Sequence, residues 1–342
     1  MTTEPRKSLC IAVCVFFLVA TVGSAETIRV VSMNAWSGLT YRGVFSVGQY
    51  EEDAAREFRF EMVARQLAEL DPDVIALNEI NPLPSLARSI AESLQYAFVY
   101  RIRRGGVRIG PVGLPVNLRE GDVVLAREAY NLVDAGSRNL TGGPAGNVAS
   151  FQFGAASQVL ATSLSLAGRT VHVFVTHWRG SEFDDAESLK ELAELYAAGT
   201  LDGDEYAAAV ADAVEGSRAR LEQAREALVF INQVAGHEPA ILLGTLNALS
   251  DSEEIRVLEE AGFRDVWKEA GHGHGYTWDP VTNSNILKYG SDTRPEHSRR
   301  RRIDYIFVRG DGIGDRSASV VLDEPTFGLH PSDHYGVAAD LE

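Results

Sequence analysis

Six polar residues or groups of residues stand where apolar runs end, and their types are those that hold a hard cation and move protons. Asn34 closes Arg29-Val-Val-Ser-Met33, Glu79 follows Asp73-Val-Ile-Ala-Leu-Asn78, and His177 ends Val171-His-Val-Phe-Val-Thr176. Asn247 follows Ile241-Leu-Leu-Gly-Thr-Leu246, Asp304 lies in Arg302-Ile-Asp-Tyr-Ile-Phe307, and Ser332-Asp333-His334 precedes the last apolar run. Carboxylate and amide oxygens are hard donors suited to Mg²⁺, and two imidazoles can move protons or stabilise charge. Singly, each residue has a plain structural explanation: a turn Asn, a solvated Glu, a hydrogen-bonded His. The weight lies in their recurrence at equivalent positions.

A side chain at a strand exit is aimed by its sheet. Thr27–Met33, Val74–Leu77, Val123–Ala126, Val159–Leu166, Val171–Thr176, Ala240–Leu243, Arg302–Val308 and Val337–Leu341 read as strands. Several are apolar on both faces, as expected for strands covered on both sides. Ala54–Leu70, with Phe58, Met62, Leu67 and Leu70 near a 3.6-residue period, reads as a helix, as does Leu86–Leu94. Asp184–Ala198 and Asp204–Val234 form an Ala/Glu-rich helical pair, and Ser252–Ala261 opens with an incomplete cap signal, Ile255 replacing the acid of a capping box. Strands alternate with helices without strict βαβ repetition. That favours an α+β arrangement of two packed sheets flanked by helices over a doubly wound sheet.

At the N-terminus, Arg6 and Lys7 precede the apolar run Leu9–Val22, which ends in Gly23, Ser24 and Ala25. This is the layout of a secretory signal peptide, too short to span a bilayer comfortably. Cleavage after Ala25 is expected, giving a secreted or periplasmic protein with one domain over 26–342 and a helical insertion around 184–234. Both cysteines, Cys10 and Cys14, lie within the leader, so no disulfide framework is expected. The chain carries a net charge of −16. Such acidity repels polyanions at long range and weighs against avid nucleic-acid binding. Two local basic clusters, Arg101/Arg103/Arg104/Arg108 and Arg299–Arg302, are candidates for a groove or for solvated loops. A monomer is expected, without a stable membrane span once the leader is removed.

The ordered set Met33-Asn34, Asn78-Glu79, Thr176-His177, Gly244-x-x-Asn247, Arg302-Ile-Asp304-Tyr305 and Ser332-Asp333-His334 resembles the endonuclease/exonuclease/phosphatase superfamily. That superfamily includes deoxyribonuclease I-like nucleases, neutral sphingomyelinases and inositol polyphosphate phosphatases. The resemblance implies a four-layer αββα sandwich with two mixed, mostly antiparallel sheets. It implies Glu79 as principal ligand of Mg²⁺ (or Mn²⁺), with Asn34 and Asp333 nearby. It implies His334 as general base held by Asp304, and His177 and Asn247 as stabilisers of charge on phosphorus.

One departure stands out. The superfamily pattern is Gly-Asp-x-Asn, and here Thr245 replaces the aspartate. Three readings stay open: a weakened or inactive relative acting as a binding protein, a carboxylate supplied from elsewhere (Asp251 is nearest), or an inactivating substitution. A smaller departure is Asp122, where relatives often have Asn. Gly275-Tyr276-Thr277-Trp278 through Asn285, and Arg220-x-x-Gln223, resemble the sphingomyelinase-like branch, making Tyr276, Trp278 and Arg220 candidate substrate contacts. Packing and an ordinary salt bridge are the alternatives. The expected activity is phosphodiester hydrolysis, on a lipid headgroup or small molecule in preference to nucleic acid, with an extracellular endonuclease as the rival.

Overall fold

Runs of β-branched residues pair into two sheets, and the amphipathic segments cover their outer faces. The computed structural model describes residues 27–40, 49–105, 108–109, 112–113, 119–140, 157–180, 186–289 and 299–342; the expected signal peptide and both cysteines lie outside them. In chain order the elements are β1 (Ile28–Asn34), β2 (Leu39–Thr40), β3 (Gln49–Tyr50), α1 (Asp53–Leu70), β4 (Val74–Ile80), α2 (Ser85–Leu94), β5 (Tyr96–Gly105), β6 (Arg108–Ile109), β7 (Val112–Gly113), β8 (Arg119–Arg127), β9 (Val133–Asn139), β10 (Gln158–Leu166), β11 (Arg169–His177), α3 (Ala186–Ala197), α4 (Gly203–Ala235), β12 (Ala240–Thr245), α5 (Glu253–Glu260), β13 (Arg264–Asp265), α6 (Val266–Ala270), α7 (Ser284–Tyr289), β14 (Asp304–Arg309), β15 (Asp315–Val321) and β16 (Gly336–Leu341).

The first sheet has the order β15-β16-β1-β4-β8-β5, the second β13-β14-β12-β11-β10-β9, and β2, β3, β6 and β7 form a small third sheet. Within the two large sheets, β1–β4 and β11–β12 are the parallel pairs and the other pairs are antiparallel. Side chains alternate along each strand, so one strand feeds two cores. Val30, Val74, Val124, Val173, Ile241 and Val337 fill the space between the sheets. Their neighbours Val31, Ile75 and Val123 face outward onto Phe60, Val63 and Leu67 of α1 and Ile90 of α2. Across the molecule, Phe174, Leu242 and Phe307 pack on Ala224, Ala227 and Ile231 of α4 and Leu258 of α5. Each fully buried Val, Leu or Phe contributes about 1.5–3 kcal/mol by leaving water. The result is the expected four-layer α+β sandwich.

The expected strands and long helices are present, and four further strands of the large sheets, β5, β9, β13 and β15, were not anticipated. β5 carries Arg101 and Arg103, which read as a basic loop; its strand signal is the aromatic run Tyr96–Tyr100. β9 and β15 are edge strands with polar sequences, and edge strands carry little apolar periodicity. Asp202 caps α4 in a full capping box with Glu205, whereas Ser252 caps α5 alone, its Oγ accepting from the Ile255 N–H. The second half of α4 packs on the second sheet and supplies its outer layer. Among the described residues no helix is long and apolar enough to cross a membrane.

Candidate active site

Strand register alone assembles most of the site. In the second sheet, His177 lies opposite Thr245, and Thr245 opposite Asp304, forming one row across β11, β12 and β14. In the first sheet, Asn34 lies opposite Asn78 across β1 and β4. The β4–β8 register shifts between Leu77 and Ile80, a bulge that turns Glu79 off the ladder. Three residues leaving these strands, Trp36, Glu79 and Asn247, hold φ values of 55°, 57° and 50°. Non-glycine residues occupy that left-handed region at an energetic cost, and such strain concentrates where side chains are held for function.

Glu79 sits at the centre of the first half-site. Its Oε1 accepts from Asn34 Nδ2 at 3.2 Å, and its Oε2 from the Ser37 N–H at 3.3 Å. His177 Nδ1 is 3.6 Å and Arg103 Nη2 3.9 Å from Oε1, and the Glu79 side chain keeps 20 % exposure. Asn34 Oδ1 accepts from the Trp36 N–H at 2.9 Å, which fixes the orientation of its amide.

The second half-site is built on Asp304. Its Oδ2 lies 2.7 Å from His334 Nδ1, and its Oδ1 accepts from the Thr245 hydroxyl at 2.6 Å. Trp278 meets the His334 ring edge-on, centroids 5.0 Å apart. Burial disfavours a charged His334, but Asp304, with Asp333 and Glu79, outweighs it and holds the imidazole pKa at about 9. Burial pushes the Asp333 carboxyl up to about 6, with Glu79 adding to the shift and His334 and Arg59 opposing it. Asn247 Nδ2 donates to the Trp178 carbonyl at 2.9 Å, tying the exit of β12 to that of β11.

The remaining candidates lie further from these groups. Arg220 is 2 % exposed, pairs with Glu254 at 3.4 Å and donates to the Arg179 carbonyl, so it supports the loop after His177 from beneath. Tyr276 stacks on His274, centroids 4.9 Å apart. Asp251 is exposed in the turn before α5. Five arginines of the two basic clusters pair with acids: Arg101 with Asp134, Arg103 with Glu120, Arg299 with Glu191, Arg300 with Asp279 and Arg302 with Asp265, while Arg301 lies over the Trp278 ring, 5.6 Å from its centroid.

Further residues position the site: Arg59 gave no sequence signal of its own, whereas Thr277, Asn283 and Asn285 belong to the 275–285 segment that the sequence singles out. Arg59 is fully buried against Glu51 and donates to the carbonyls of Ala35, Trp36 and Pro331, joining the Asn34 loop to the Asp333 loop. The Thr277 hydroxyl accepts from the backbone N–H of Asp304, and Asn283 and Asn285 donate to the Ser332 carbonyl. Among the described residues, no group of three or more His, Cys, Asp or Glu side chains is placed to hold a metal.

Fold and site together define a two-sheet sandwich with a cluster of interacting polar side chains at its strand exits. The model of the endonuclease/exonuclease/phosphatase family matches residues 31–334, and the chain belongs to that family, whose members are generally phosphoester hydrolases using divalent metals. Solved structures share the fold at low identity. An endonuclease/exonuclease/phosphatase from Bacteroides vulgatus is 15 % identical, with a TM-score of 0.60 over 93 % of this chain and 99 % of that one. D. rerio TDP2 complexed with a single-strand DNA product is 18 % identical, with a TM-score of 0.57 over the same shares. A functionally unknown conserved protein from Enterococcus faecalis V583 is 15 % identical, with a TM-score of 0.58 over 92 % of this chain and 99 % of that one. No curated protein matches the chain.

Proposed function

We propose that the protein is an exported Mg²⁺-dependent phosphodiesterase acting on a lipid headgroup or small-molecule diester. The observation that carries this reading is the Asp304–His334 pair at 2.7 Å, with Glu79 near enough for its charge to act on the same imidazole. A hydrogen bond from Nδ1 to the Asp304 carboxylate orients the ring and leaves Nε2 to exchange a proton with an attacking water; with the imidazole pKa held at about 9, the neutral form that takes this proton grows as pH rises. His177 and Asn247, at the exits of neighbouring strands, supply donors where charge builds on phosphorus.

The donor set fits a hard cation that keeps its water. Mg²⁺ is held by one or two carboxylates with water completing its shell, so a three-group protein cage is not required. Glu79, partly exposed, is the principal ligand in this reading, with Asp333 beside it and Asn34, whose Nδ2 donates to Glu79 Oε1 while its Oδ1 accepts from the Trp36 N–H, within reach through water. When bound, the ion polarises a phosphoryl oxygen or the leaving group.

Substrate preference rests on charge. The acidic surface and the paired arginines leave little to attract a polyanion, which favours a small or zwitterionic ester. The second reading, an extracellular nuclease, takes its support from the fold shared with a DNA-product complex. Purified protein with Mg²⁺ on bis(p-nitrophenyl) phosphate, sphingomyelin and plasmid DNA separates the readings. Turnover of either small or lipid ester above that of DNA is expected. DNA turned over fastest would transfer the assignment to the nuclease, and no turnover on any of them would leave the binding-protein reading. Export is tested by the N-terminus of the protein recovered outside the cell, expected at Glu26.

A further inference from the structure

Both oxygens of Asp304 are engaged, and the partner of the second is the residue that departs from the family pattern. The Thr245 hydroxyl lies 2.6 Å from Asp304 Oδ1 and 3.5 Å from Asn78 Oδ1. A hydroxyl has one proton to give, and the shorter contact to the charged acceptor takes it. Thr245 is fixed from its other side as well, its backbone N–H donating to Asn78 Oδ1 at 3.1 Å. That bond settles the Asn78 amide, because a backbone N–H can meet only its oxygen. Asn78 Nδ2 therefore faces the Thr176 carbonyl at 3.3 Å and Asp122 Oδ1 at 2.8 Å. Asp122 Oδ2 in turn accepts from Gln158 Nε2 at 2.9 Å.

The chain Asp122–Asn78–Thr245–Asp304–His334 crosses from β8 and β4 of the first sheet to β12 and β14 of the second. Its first four members are at most 1 % exposed. The backbone makes room for it: Gly244 has φ of +135°, and a Cβ there would lie 3.1 Å from Asn78 Oδ1 and 2.0 Å from the Thr176 carbonyl oxygen. Each position also needs its own chemistry. Asp122 takes amide N–H groups on both oxygens, which suits an acceptor-only carboxylate; an Asn there would turn an NH₂ toward one of them. Thr245 gives Asp304 a donor without adding a second buried negative charge beside it.

We propose that Asp122, Asn78 and Thr245 form a positioning arm that holds Asp304, and through it the His334 imidazole, so that threonine at 245 is a neutral donor built into the site in place of a lost carboxylate. The kinetic part of this proposal rests on the phosphodiesterase reading; the geometric part does not. Three variants of the full mature chain test it: Thr245→Val removes the hydroxyl at equal size, Thr245→Ser keeps it, and Asp122→Asn loosens the far end.

With bis(p-nitrophenyl) phosphate and Mg²⁺, Thr245→Val is expected to lower kcat by roughly 10- to 100-fold, the rate equivalent of one hydrogen bond to a charged group. KM is expected to stay within about 2-fold, since the arm acts on the chemical step and not on ground-state binding. Thr245→Ser is expected to keep most of the rate, and Asp122→Asn to show a smaller kcat loss of the same kind. In proton NMR, the downfield Nδ1–H signal that His334→Gln abolishes should persist in Thr245→Ser and shift or vanish in Thr245→Val. Wild-type kcat and an unchanged signal in Thr245→Val would overturn the proposal, as would equal losses in the Val and Ser variants. Should Thr245→Val not fold, Asp122→Asn and Thr245→Ser decide by the same two readouts. If wild type turns over no ester, the phosphodiesterase reading fails and the NMR signal alone decides the arm.

Discussion

Asp304 is where the chemistry of this site is concentrated, one oxygen on the His334 imidazole and the other on the Thr245 hydroxyl. From the sequence, Thr245 stands where the family pattern has an aspartate, and one of the readings left open is a carboxylate lost by substitution. The surroundings argue otherwise. Position 245 is fully buried, with Asp304 at contact and Asp122 beyond Asn78. A second carboxylate there meets like charge in a low-dielectric interior, which raises its pKa. Thr245→Asp is thus expected to destabilise the fold by about 1–3 kcal/mol at neutral pH. A carboxyl with a raised folded-state pKa costs stability only where the unfolded chain ionises it, so the deficit should shrink as pH falls toward about 4. Thermal unfolding of the two proteins across that range checks the sign. A variant as stable as wild type at pH 7, with higher turnover, would restore the missing-carboxylate reading.

At the scale of elements, strand exits carried the legible part of the site. Asn34, Glu79, His177, Asn247 and Asp304 each end or begin an apolar run, and register then sets His177, Thr245 and Asp304 side by side. What the sequence hid are contacts between segments distant in the chain. Nothing in the local pattern around Asp122 or Arg59 tells that one meets Asn78 and the other the Pro331 carbonyl, because those pairings exist only once β4 lies beside β8 and α1 packs against the loop before β16. The same holds for β9 and β15, whose polar sequences become strands through their neighbours. Gly244→Ala should break the β11–β12 pairing, since its Cβ meets the Thr176 carbonyl at 2.0 Å. A loss of more than about 3 kcal/mol, or failure to fold, is expected in denaturant unfolding. In the first sheet, Arg29 of β1 bonds Asp340 of β16, and that hydrogen bond, opposed by partial burial, holds the Asp340 carboxyl below its usual range. A depressed carboxylate adds stability above its unfolded pKa and loses it as pH falls. Asp340→Asn is therefore expected to cost up to about 1 kcal/mol near neutral pH and nothing near pH 2, a difference read from acid-unfolding curves.

For the whole molecule, charge decides more than shape does. The fold is shared with proteins at 15 to 18 % identity, and at that distance it fixes architecture and leaves the substrate open. A net charge of −16 with paired arginines should make the approach of a polyanion unfavourable at low salt. Cleavage of DNA, where present, is then expected to rise as salt is raised from about 10 to 150 mM, while turnover of a zwitterionic headgroup stays flat. The opposite trend, DNA cleavage falling with salt, would point to a basic path across the surface. The most direct measurement is hydrolysis of bis(p-nitrophenyl) phosphate by wild type, Glu79→Gln and His334→Gln, each with Mg²⁺ and with EDTA. Wild-type turnover that EDTA abolishes, and that each substitution lowers by roughly 10²- to 10⁴-fold, is the expected result. Equal rates in all three proteins, or wild-type turnover indifferent to EDTA, would contradict the assignment of this cluster as a metal-assisted phosphodiesterase site.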